Sequence, residues 1–113
     1  MSDSDDRQIL SDAISALPGL NCTPYYRQTT RPGDAFVRLA RKDREDNGFG
    51  MVTTWQVWII LPSDMVAAEQ WIDEHHDAIY EVLNAELYLT SATPSDMVLD
   101  AGQTNGVIYE GTR

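Results

Sequence analysis

Residues 51–87 read MVTTWQVWIILPSDMVAAEQWIDEHHDAIYEVLNAEL, and the change of period inside this stretch decides the fold. From Met51 to Leu61 the side chains alternate, with Trp55, Val57, Ile59 and Leu61 pointing one way and Val52, Thr54, Gln56, Trp58 and Ile60 the other. Both sets carry large apolar groups, so this strand is expected to be central and covered on both faces. One face calls for a helix, the other for a second layer or a neighbouring subunit. Leu61-Pro62-Ser63-Asp64 then opens a helix, with Ser63 or Asp64 as N-cap and acid in the first turn, where the helix dipole favours it. At about 100° per residue, Ala68, Trp71, Ile72, Ile79, Val82 and Leu83 share one face. Glu69, Asp73, Asp77 and Glu81 fall on the opposite one, and like charges at that i, i+4 spacing cost roughly a few tenths of a kcal/mol per pair unless something basic meets them.

Upstream, Ile9, Leu10, Ala13, Ile14 and Leu17 recur at three-to-four spacing before Pro18-Gly19, which predicts a short N-terminal helix over 1–18. Leu20 to Gln28 is strand-prone but interrupted by Pro24, as suits an edge or an extended segment, and Thr29 to Asp34 is a turn. Ala35–Lys42 and Met51–Leu61 read as strands joined by a long polar hairpin loop, Asp43 to Gly50. After the helix at 63–87, Tyr88–Thr93 is strand-like, Pro94 breaks it, Met97–Leu99 resumes, and a last strand covers Val107–Thr112. The whole is expected to be one α+β domain, 1–113, with a mainly antiparallel sheet, one long amphipathic helix packed on it and a short N-terminal helix.

Composition excludes several functions. A formal net charge of −10 over 113 residues argues against nonspecific nucleic-acid binding, because phosphate affinity comes from Lys and Arg. The opening MSDSDDRQ is acidic where a secretion signal would be basic and then apolar, and Val57–Leu61 is far shorter than a membrane span, so a soluble protein made in the cytoplasm is expected. The single cysteine, Cys22, allows no internal disulfide and reads as a small buried apolar side chain.

Motifs for chemistry are equally sparse. Adjacent His75 and His76 diverge by about 100° on a helix, unlike the i, i+4 pair of a metal site; His75 is expected to pack on the sheet and His76 to be half exposed. There is no G-x-S-x-G and no phosphate-binding G-x-x-x-x-G-K-[ST], and Gly48-Phe49-Gly50 falls in a hairpin. No catalytic, cofactor-binding or metal residue is assigned. Trp55 and Trp71 read as core, and Trp58, on the other strand face, as core of a second layer or as part of a subunit contact.

Charge layout points instead to assembly. Six of the eight basic residues, Arg27, Arg31, Arg38, Arg41, Lys42 and Arg44, fall within eighteen positions, while Asp64 to Glu86 holds seven acids and no base. A small domain with one basic and one acidic surface can bind copies of itself head to tail, an arrangement that closes rings. Strand alternation puts Arg38 and Lys42 on one face and Arg41 on the other. The expected subunit contact comprises Arg38, Arg41, Lys42 and Trp58 against Glu69, Asp73, Asp77 and Glu81 of a neighbour. The hairpin residues Arg44, Glu45, Asp46, Asn47 and Phe49 are expected to project from the assembly.

The runs Trp55–Asp64 and Ala67–His75, with Val98-Leu99-Asp100 and Gly106–Arg113 at the close, resemble the tail terminator proteins of long, non-contractile-tailed bacteriophages, particularly those infecting actinobacteria. The similarity spans about residues 35–113 in order of elements. It implies a small structural protein of the virion neck, without enzymatic activity or cofactor. Such a protein forms a hexameric ring on the head-proximal end of the tail tube, halts tube polymerisation and presents a surface to the head-completion proteins, while DNA passes through unbound. Two rival classes fit less of the pattern: another neck adaptor for head closure or tail completion, and an acidic inhibitor that mimics DNA, against which the basic cluster at 27–44 counts.

Overall fold

In a computed structural model that describes residues 2–45, 48, 50–99 and 102–113, the decisive stretch forms strand β3, Met51–Leu61, and helix α2, Met65–Asn84. (The earlier elements are helix α1, Asp3–Ser15, and strands β1, Asn21–Thr23, and β2, Asp34–Arg44; the later ones are β4, Tyr88–Leu99, and β5, Gly102–Thr112.) Asp64 is the α2 N-cap, accepting from the Ala67 amide at 2.9 Å, while the first turn itself carries no acid. The favourable charge therefore sits on the cap and not in the turn after it.

The sheet order is β1-β2-β3-β5-β4, antiparallel except for the parallel pair β1–β2, giving an α+β domain. Because β3 and β4 both run antiparallel to β5, they are parallel to each other, and α2 is the crossover between them with β5 inserted in the gap. On the helix side, Trp55, Val57, Ile59 and Leu61 are buried under Leu10 and Ile14 of α1 and Ala68, Ile79 and Leu83 of α2. Trp71, Ile72 and Val82 pack at the margin of this core. The far side carries a smaller cluster, Phe36, Ile60 and Met97, flanked by Trp58, Leu99 and Ile108. So β3 is covered on both faces, as its two-sided apolar pattern requires.

What covers the far side is the link between β1 and β2. Parallel neighbours need a crossover, and residues 24–33 supply it, with the Tyr26 ring meeting Phe36 edge-on at 5.0 Å. The crossover is tied by Asp34, a buried carboxylate that accepts from Thr29 Oγ1 at 2.7 Å and Arg27 at 3.1 Å. Arg7 of α1 fastens the same region from the helix side, donating to the carbonyls of Pro24 (2.9 Å) and Val37 (3.1 Å) between the rings of Tyr25 and Trp55.

Three expectations need correction. Pro94 does not break the chain into two strands: β4 runs through it as the edge of the sheet, where only one side of the strand is bonded to a neighbour and a missing amide is tolerated. β5 begins at Gly102, not Val107. The pairing of β2 with β3 also shifts between Leu39 and Arg41, so Ala40 is an extra residue in a β-bulge. Past the bulge each side chain changes face. Arg41 stands opposite Thr54 and joins Arg38 on the far side, whereas Lys42 stands opposite Thr53 on the helix side.

Candidate assembly surfaces

The far face of the sheet carries a polar ladder beyond its apolar cluster. Arg38 lies over the Trp58 ring at 5.1 Å; Trp58 Nε1 donates to Gln56 Oε1 and Gln56 Nε2 to Glu110 Oε1, both at 2.9 Å. Arg41 donates to Asp43 at 2.8 Å, and that hydrogen bond and charge, with Glu110 nearby, push its guanidinium pKa further up. Arg38 and Arg41 are exposed, and Trp58 is half-buried. The expected contact residues Arg38, Arg41 and Trp58 thus come together on one surface. Glu110, missed by the sequence reading, sits among them; the alternation of β5 from Ile108 was the signal that could have found it.

Lys42 leaves this set. It faces the helices and pairs with Asp3 at 2.9 Å, with Thr53 Oγ1 at 3.1 Å. The four acids Glu69, Asp73, Asp77 and Glu81 are all exposed on α2, opposite its buried Ala68, Ile79 and Leu83. They do not meet the basic face within the chain: α2 lies on one side of the sheet, Arg38 and Arg41 on the other. At the hairpin, Arg44 and Glu45 are exposed, and the Glu45 amide donates to the Gly50 carbonyl at 2.9 Å. Asp46, Asn47 and Phe49 lie outside the described residues.

Both histidines are half-buried, as expected for His76, but the contact with the sheet falls to His76 and not to His75. His75 stacks on Trp71, ring centroids 4.0 Å apart, with Nδ1 at 2.8 Å from the Trp71 carbonyl; His76 is the one that reaches the sheet, Nδ1 lying 2.7 Å from Tyr109 Oη. The two positions differ by about 100° of helix phase and flank the buried stripe of α2, each half-buried. Among the described residues no three His, Cys, Asp or Glu side chains come together as a metal-ligand group, and no helix is long and apolar enough to cross a membrane.

Two buried groups set the response to alkali. Burial pushes the Cys22 thiol from 9.0 up to about 12, and burial followed by the charge of Asp77 pushes Tyr109 from 10.0 up to about 12. Each is uncharged when protonated and keeps its proton longer in the folded chain than in the unfolded one. Between these values the unfolded chain binds fewer protons, so the stability from these groups is whole below pH 9 and is lost as pH rises toward 12. Urea midpoints taken from pH 8 to 12 should fall across this window, and Cys22→Ala should remove the earlier part of the fall; a flat profile would contradict the burial of both groups. A thiol held protonated in this way is also a poor nucleophile.

Compared with known families and with curated proteins, the sequence matches no family model and no curated protein.

Proposed function

We propose that this protein is a structural ring component of a phage neck, a tail terminator in the long-tailed, non-contractile class. Its ring, hexameric in this reading, caps the head-proximal end of the tail tube, stops tube growth and receives the head-completion proteins. The observation that carries the proposal is the placement of charge on the two outer surfaces of one thin domain: Arg38 and Arg41 on the exposed sheet face, Glu69, Asp73, Asp77 and Glu81 on the exposed helix face. The acids of the helix face cannot reach Arg38 and Arg41 within a molecule, where Asp43 and Glu110 are the acids beside these arginines. They can between copies, head to tail, and a heterologous contact of that kind closes into a ring when the rotation allows. Six chains would carry about −60 (six times −10), so a channel through them repels phosphate and lets DNA slide. The role calls for no catalytic group and no cofactor.

The test is the native mass by light scattering, alone and after mixing with the tail tube protein of the same virus at moderate salt. A hexamer, or a monomer that becomes a ring on tube ends and fixes their length, is expected. A chain that stays monomeric and leaves tube length unchanged overturns the proposal.

A further inference from the structure

An apolar groove of about 260 Å³ opens between the first turns of α2 and the β4–β5 pair, walled by Met65, Ala68 and Ile72 on the helix and by Leu61 and Pro94 on the sheet. Among the described residues that line it, the only charged ones are Glu69 and Asp96, both acids and both exposed. The opposite end of the molecule has the reverse character. β1 ends alongside Phe36, so from Arg38 to Arg44 strand β2 is an exposed edge and, with the start of β3, forms a ribbon that is two-stranded from Lys42 onward, where β3 lies beyond its pairing with β5. On its helix side the ribbon shows Leu39 at 40% and Met51 at 53% exposure beside Lys42 and Arg44; its far side shows Arg38 and Arg41.

We infer that the groove of one copy receives the basic ribbon of the next, with Met51 seated against the apolar walls and the ribbon's arginines meeting Glu69 and Asp96. The inference rests on the ring reading and specifies where its contact lies. Its geometry is fixed by β3. The ribbon lies at the Met51 end and the groove at the Leu61 end, ten residue steps apart at about 3.3 Å each, so about 33 Å separate them. The molecule is 46 Å along its greatest dimension, so a chain cannot fill its own groove with its own ribbon. The contact is between copies and head to tail, and each copy uses both ends. Apolar groove against exposed Met and Leu excludes water, while the acids and arginines fix register.

A charge exchange tests this. One variant reverses the groove (Glu69→Lys with Asp96→Lys), the other the ribbon (Arg41→Glu with Arg44→Glu). All four residues are exposed, and circular dichroism should show both variants folded. Native mass is then read in whichever setting the wild type assembles, alone or on tube ends. Each variant by itself opposes like charges at every contact and should be monomeric. An equimolar mixture pairs basic ribbon with acidic groove at one contact and acidic ribbon with basic groove at the next, and should recover the wild-type mass. The single changes Glu69→Lys and Arg44→Glu repeat the test with half the charge should a double variant misfold. A variant that assembles alone as the wild type does, or a mixture that stays monomeric, overturns this docking while leaving the ring reading on its own footing. A wild-type chain that assembles in neither setting overturns both.

Discussion

Replacing Arg38 and Arg41 with glutamate is expected to abolish the ring and leave the monomer folded. Each exposed ion pair contributes only about 0.2–1 kcal/mol, but exchanging two attractions for two repulsions removes roughly 0.8–4 kcal/mol from every contact, a weakening of about 4- to 1,000-fold that is repeated at each contact of a ring. The formal charge of each chain also moves from −10 to −14, which makes closure of a ring harder still. Within the monomer the loss is small. Arg41 pairs at the surface with Asp43, both more than half exposed, and Arg38 lies over Trp58 for roughly 0.5–1 kcal/mol. Sedimentation should find a monomer whose thermal midpoint has dropped by only a few degrees. An intact hexamer in the double variant would refute charge pairing as the source of assembly.

Gly33→Ala should do the reverse and damage the fold itself. Gly33 has φ +90°, and a Cβ built there would come to 2.3 Å from the Gly19 carbonyl oxygen. The obstacle is backbone, and the residue is pinned by its own amide donating to Ile60 (2.9 Å) and its carbonyl accepting from Asn21 (3.0 Å). Relief of the clash therefore breaks the junction that holds β1 against β2. Left-handed strain costs about 1–2 kcal/mol and the two displaced bonds about 1 kcal/mol each, so a total of about 3–4 kcal/mol is expected against a usual reserve of about 5–15. Gly19→Ala is the control: φ there is +79°, but nothing lies within 4 Å of the added carbon, and about 1 kcal/mol should be lost. Equal unfolding midpoints for the two variants would show that the approach of Gly33 to Gly19 yields easily.

The parts of the fold legible in the sequence are those where periodicity is local. β3 and α2 follow from a period of two giving way to 3.6 within 34 residues, Met51–Asn84, and the exposure of Glu69, Asp73, Asp77 and Glu81 follows from the same phase. Where the outcome depends on neighbours, the reading slipped. Pro94 is a breaker in a central strand and harmless in an edge strand, and the position of β4 in the sheet is set by β5, which comes later in the chain. Leu39-Ala40-Arg41 contains no glycine to mark a bulge, so the inversion that moves Arg41 beside Arg38 and turns Lys42 toward Asp3 leaves no local trace. Arg7 carries no local signal of its role, because its two carbonyl partners, Pro24 and Val37, are brought to it only by the tertiary fold.

The place of β5 between β3 and β4 governs the order in which this domain can form. β3 has no partner on that side until a strand some forty residues downstream arrives, and β4, though earlier in the chain, has nothing to pair with until then. α1, β1, β2 and β3 can condense from nearby segments, while α2 and β4 wait for a long-range closure that arrives in one step. Folding should accordingly be limited by the docking of β5. In amide exchange under native conditions, β4 should open with β5 or before it, never after.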